Sequence, residues 1–162
     1  MFRSIALRPV DDEDLPFLYA CYASARADEL APLNWDQQTH TAFLTMQFNA
    51  QHQYYREHYA DAEFRVIVVE GRPAGRIYVA WLEDGLRLME ITLLPSFRNQ
   101  GIGTALVRQV LDEAARAGKQ VRLHVEPFNP ALRLYQRLGF VKLEDRGVYW
   151  FMGWTPPDPG SG

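Results

Sequence analysis

The sequence predicts an α/β (α+β) fold: a mixed, mostly antiparallel sheet of about seven strands flanked by about four helices. Three observations carry this. The middle of the chain holds three apolar segments separated by short turn segments, "FRVIVVE", "AGRIYVAW" and "LRLMEITLL". After Gly101 the apolar spacing changes to that of a helix. A further strand and short helix then follow, which makes one crossover unit in the sheet. The predicted order is β-α-α-β-β-β-α-β-α-β-β, with one domain over 1–154 and a disordered tail over 155–162.

Each element has its own signal. "SIALRPV" reads as the first strand. "DDEDLPFLYACYASAR" opens a helix: Asp11 to Asp14 place negative charge at its positive end, and Pro16 falls in the tolerant first turn. Leu15, Leu18, Tyr19 and Tyr22 form its core-facing stripe. A second helix runs from about Asp36 to Tyr59, rich in aromatics and amides, with a less clean stripe. The next two strands pair as a hairpin about "GRP", and "EDG" turns the chain into the third strand of a meander. Ile102, Leu106, Val110 and Ala114 mark a third helix that Gly118 stops. "QVRLHV" is a strand, and "NPALRLYQRLGF" a short helix with Asn129 as N-cap, Pro130 at its first position and Gly139 at its end. "VKLED-RG-VYWFMGW" closes as a hairpin around Arg146-Gly147.

Composition narrows the function classes. The 162 residues are 48% hydrophobic and 23% charged, as in an ordinary globular protein. A formal net charge of -3 argues against a general nucleic-acid binder. The lone cysteine, Cys21, allows no intrachain disulfide and no cysteine metal cluster. His40, His52 and His58 lack metal-ligand spacing, so no metal is expected. No apolar run approaches the roughly 20 residues of a membrane span, and the N-terminal segment lacks a signal peptide's apolar core. A cytoplasmic protein with no membrane partner is the expectation.

The informative stretch is "RNQGIGT", Arg98 to Thr104. Two glycines one residue apart, at the head of a helix, expose backbone N–H groups and the positive end of the dipole, which suits a phosphate. The same pair also serves a tight turn or close packing. A P-loop is absent, because no Gly-Lys-Ser/Thr follows. A dinucleotide fingerprint fits poorly: Leu106 stands at its third glycine, and Pro95 to Gln100 separate the strand from Gly101.

"LLPSFRNQGIGTAL" instead resembles the acyl-CoA motif of the GNAT superfamily of N-acetyltransferases, R/Q-x-x-G-x-G/A, matched by Arg98, Asn99, Gln100, Gly101, Ile102 and Gly103. "NPALRLYQRLGF" looks like the superfamily's second motif, an Asn after the fifth strand and a Tyr in the next helix. Motif spacing and element order agree as well; the N-terminal third matches in topology only. The resemblance implies acetyl-CoA as co-substrate, its pyrophosphate on the amides of Gln100, Gly101, Gly103 and Thr104. It implies a pantetheine arm along the backbone of Leu93, Leu94 and nearby residues. It places Asn129 either on that arm or as a plain helix cap.

Two residues are the catalytic candidates. Tyr135 matches the family's proton donor to the leaving sulfur; its other reading is a core aromatic. Glu90 stands in an apolar strand, where an acid needs a use or a partner. By resemblance it serves as base, directly or through water, or binds a cationic acceptor; otherwise it pairs with Arg87 or Arg76. Trp35, Phe48, Tyr54 and Tyr55 either line an acceptor pocket or pack, and His124 reads as a sheet histidine. The implied activity is transfer of acetyl to a primary amine, on a small molecule, a protein N-terminus or a lysine. The alternative is a non-catalytic acyl-CoA-binding or sensor domain of the same fold. Homodimers are common in the family, and "VYWFMGW" offers a contact for one.

Overall fold

In a computed structural model, residues 4–157 are described. Of the predicted tail, 155–157 are irregular and 158–162 lie outside the described residues. Seven strands and four α-helices follow the predicted order: β1 (Ile5–Pro9), α1 (Leu15–Leu30), α2 (Gln37–His58), β2 (Glu63–Val69), β3 (Arg72–Leu82), β4 (Gly85–Leu93), α3 (Ile102–Arg116), β5 (Val121–Val125), α4 (Ala131–Arg137), β6 (Val141–Asp145) and β7 (Trp150–Trp154). The strand order is β1-β2-β3-β4-β5-β7-β6. β1–β2, β5–β7 and β6–β7 pair antiparallel, and β4–β5 pairs parallel through Leu86↔Val121 and Arg87↔Arg122. The chain divides into two compact units, Met1–Tyr78 with Glu90–Arg98, and Val79–Met89 with Asn99–Gly162. Strands β3 and β4 are divided between them.

In the first unit the acidic run works as a cap. Asp11 accepts from the Glu13 amide at 2.8 Å, and Asp14 accepts from the Asp11 amide at 2.8 Å. Asp14 also takes a two-pronged bond from Arg8, both contacts at 2.8 Å. Leu18, Tyr22, Leu30, Leu44 and Phe48 form the buried cluster between α1 and α2. Leu15 departs from its predicted stripe and is 41% exposed, because it is the first residue of α1 and precedes the turn that packs. The β2–β3 turn is Glu70-Gly71, not "GRP": both have positive φ, 50° and 80°. That is the backbone a two-residue hairpin turn requires, and it leaves Arg72 and Pro73 free to begin β3.

In the second unit α3 buries Ile102, Leu106, Val107, Val110, Leu111 and Ala114. It ends as a Schellman motif: Gly118 is left-handed, its amide reaches the Ala115 carbonyl, and the Lys119 amide reaches the Ala114 carbonyl. α4 closes the same way at Gly139, with the Phe140 amide on the Tyr135 carbonyl. The final hairpin has a wider loop than expected. Asp145 pairs with Trp150, so Val148 and Tyr149 belong to the loop, closed by the Arg146 amide on the Tyr149 carbonyl at 2.8 Å. Among the described residues no helix is long and apolar enough to cross a membrane.

Candidate active site

The first unit holds a polar cluster built on two adjacent strands and a helix. On β3, Arg76 and Tyr78 alternate to one face; on β4, Glu90 and Thr92 do the same. Arg76 is 2% exposed, yet its Nε has no hydrogen-bond partner. Its Nη2 donates to Gln51 Oε1 at 3.1 Å and lies 3.9 Å from Glu90 Oε2. Its guanidinium sits 5.1 Å from the centre of the Tyr78 ring. Glu90 keeps its other oxygen on the Thr92 hydroxyl, 3.1 Å away. With a side chain 23% exposed, Glu90 is open in part to solvent, as is the half-buried Gln51.

Gln51 explains the unclean stripe of α2. Leu44, Phe48, Gln51 and Tyr55 follow helical spacing, and the amide in that row meets Arg76. Burial pushes the Tyr78 hydroxyl up, against the pull of Arg76. Burial likewise pushes the Cys21 thiol up to about 11, so it stays protonated and inert. His52, stacked on Phe48 with centroids 5.6 Å apart, is held below the usual histidine range by burial and then by Arg56 and Arg76.

Of the aromatics on this side, Phe48 is core, in edge contact with Tyr19 and Tyr22. Tyr55 meets Tyr78 edge-on, while Trp35 and Tyr54 are exposed. At the end of β4, Arg98 donates from Nε to the Leu93 carbonyl at 2.9 Å, which holds the strand end and the Leu94 turn that follows. Gly75 allows the same strands to approach, since a Cβ there would run into the Thr92 carbonyl.

In the second unit the chain enters α3 through Asn99 at φ 61° and Gly101 at φ 81°. Gly101 is the N-cap, and no side chain caps the first turn. A Cβ added to Gly101 would meet nothing within 4 Å, so packing does not demand the glycine; the left-handed backbone does. Ile102 is buried, whereas Gly103 and Thr104 are half-buried and Gln100 is exposed.

Pro130 is the N-cap of α4, and Asn129 precedes it: its Oδ1 accepts from the Ala131 amide at 2.9 Å, and its Nδ2 donates to Glu126 at 3.1 Å. Tyr135 is buried on α4 and meets Phe140 edge-on at 5.6 Å. Arg87 belongs to this unit and stands over Phe151; of the two arginines weighed for Glu90, the ion pair is with Arg76. Among the described residues no group of three or more His, Cys, Asp or Glu could hold a metal ion. Gln51 was absent from the sequence-based reading, and Arg76 entered it only as one of two alternative partners of Glu90. An arginine at a core position of "AGRIYVAW" was the available signal.

A profile of the acetyltransferase (GNAT) family matches residues 27–140. Thialysine N-epsilon-acetyltransferase of Mus musculus is 38% identical over 65 residues, which cover 39% of this chain and 38% of that protein. An uncharacterized N-acetyltransferase of Methanocaldococcus jannaschii is 34% identical over 90 residues, which cover 50% of this chain and 40% of that protein. The matched stretches therefore span well under half of either relative. The PaiA N-acetyltransferase of Thermoplasma acidophilum, solved in complex with coenzyme A, shares the fold. Its TM-score is 0.73 at 18% identity, over 94% of this chain and 99% of that one.

Proposed function

This chain belongs to the acetyltransferase (GNAT) family, and we propose that it moves an acetyl group from acetyl-CoA to a primary amine by direct attack in a ternary complex. The observation that carries the reading is the turn at the head of α3. Its first-turn amides have no side-chain cap, and the left-handed Gly101 leaves open space beside the backbone. Such a turn accepts a pyrophosphate on the amides of Gln100, Gly101, Gly103 and Thr104, aided by the helix dipole. Leu93 and Leu94 are the strand residues whose backbone would follow the pantetheine arm, with Ile102 anchoring the turn in the core.

Acetyl-CoA supplies the activated thioester. The chain's task is to move protons and hold groups in place. Glu90, carboxylate outward and backed by Arg76, takes the proton from the amine, directly or through a water. The Tyr135 hydroxyl gives a proton to the departing sulfur. Asn129 fixes the start of α4 and so the position of Tyr135 one and a half turns on. The domain that does this spans 1–154, acts in the cytoplasm, and takes its amine from a small molecule, a protein N-terminus or a lysine.

Calorimetry with acetyl-CoA tests the phosphate cradle. Wild-type protein is expected to bind acetyl-CoA, and Gly103→Val to lose that binding while keeping the wild-type circular dichroism. Unchanged affinity in a folded Gly103→Val would remove the cradle.

A further inference from the structure

The second unit carries a cationic face that the proposed reaction does not use. Four strands build it. The β5–β7 register sets His124 opposite Phe151, and the β6–β7 register sets Glu144 opposite the same Phe151. On the β4 side, Arg87 pairs with Arg122, two residues before His124 on the same face of β5.

The side chains converge on one ring. The guanidinium carbon of Arg146 lies 4.5 Å from the Phe151 centroid and that of Arg87 lies 5.5 Å from it. The His124 ring is 4.9 Å away. Arg146 Nη1 donates to His124 Nε2 at 3.0 Å. Arginine has no acceptor, so that nitrogen of His124 carries no proton.

The charges on this face do not balance. Arg122 turns away to Gln120 Oε1 at 2.6 Å. Glu144 lies 3.2 Å from Arg146. Arg87 has only the ring: its Nε is buried and without a hydrogen-bond partner. Arg87 and Arg146 thus face one carboxylate, Glu144, and a buried guanidinium nitrogen with no acceptor is a costly arrangement.

We propose that the Arg87–Phe151–Arg146–His124 face is a binding site for a carboxylate. A guanidinium edge matches two carboxylate oxygens in one plane. Glu144, already 3.2 Å from Arg146, disfavours a dianion beside it. His124 shares the Phe151 ring with Arg87 and Arg146, with Glu144 and Tyr149 nearby and Arg122 along the strand.

His124 reports on the site. Burial first, then Arg87 and Arg146, hold it below the usual histidine range. A bound carboxylate cancels the effect of the arginines, so its titration moves up. The experiment follows the His124 ring by NMR against pH, assigned by loss of its signal in His124→Gln. Sodium acetate, sodium phosphate and sodium chloride are compared at equal ionic strength. Acetate is expected to raise the His124 midpoint by about one unit relative to chloride. Arg87→Gln and the more exposed Arg146→Gln are each expected to reduce that rise.

Equal midpoints in acetate and chloride would overturn the proposal. So would a rise that survives both substitutions, or a rise with phosphate alone.

Discussion

Arg76 Nη2 lies 3.9 Å from Glu90 Oε2, and the arginine is the buried partner, 2% exposed against 23% for the glutamate side chain. The pair is asymmetric. Arg76 cannot leave, and its remaining contacts are Gln51 and Tyr78, both neutral. Glu90 is therefore both the counter-charge of a buried cation and the carboxylate at the surface of the cluster. Glu90→Gln should lower stability by about 1–3 kcal/mol, because it leaves a buried charge less well satisfied. As the proposed base, its loss should also depress the acetylation rate most below the pKa of the acceptor amine, and less as pH rises. Thermal unfolding and a pH–rate profile, run on the same variant, separate the two effects. A stability loss with an unchanged profile would leave Glu90 a structural partner of Arg76.

Tyr135→Phe removes a hydroxyl and keeps the edge contact with Phe140. If the hydroxyl is the proton donor, kcat falls by about a hundredfold or more. The Kd for acetyl-CoA should stay near wild type. A kcat near wild type would make Tyr135 a core aromatic only.

Asp14 links pH to the first unit's stability. The hydrogen bond from Arg8 is the main cause that lowers its carboxyl to about 2, with the Asp11 amide and the Arg8 charge adding to it and burial opposing. A carboxyl depressed on folding stabilises the folded state above its unfolded pKa, and that contribution disappears as pH falls from about 4 to about 2. Arg8 is 40% exposed, so solvent screening reduces the contribution to about 1 kcal/mol or less. Asp14→Asn should therefore unfold at lower temperature than wild type at pH 7, and the difference should shrink toward pH 2. A gap independent of pH would assign the effect to the cap alone.

The order of elements was legible because its signals are local. Apolar period, Asp and Asn caps and Gly stops each act within a turn or two. The misplaced β2–β3 turn shows the limit of that reading: Gly71 was seen, but Glu70 adopts a positive φ that its own residue type does not announce. The glycine turn before α3 was legible for the same local reason. The Arg76–Glu90 pair was legible only as one of two alternatives, and Gln51 not at all, because it comes from α2 and only the fold brings positions 25 apart to 3.1 Å. The start of α4 was legible to within a residue: Pro130, not Asn129, is its N-cap, and Asn129 bonds the Ala131 amide from just outside.

Release of free CoA thiol from acetyl-CoA, over a library of primary amines, tests the central claim most directly. The only cysteine of the chain, Cys21, is buried, and its thiol is raised to about 11, so the native protein should add little background to a thiol reagent. The account predicts thiol release that depends on a particular amine, matches the acetylated amine found by mass spectrometry, and falls sharply in Tyr135→Phe. Binding of acetyl-CoA with no amine-dependent thiol release across the library would contradict it and leave a non-catalytic acyl-CoA-binding domain.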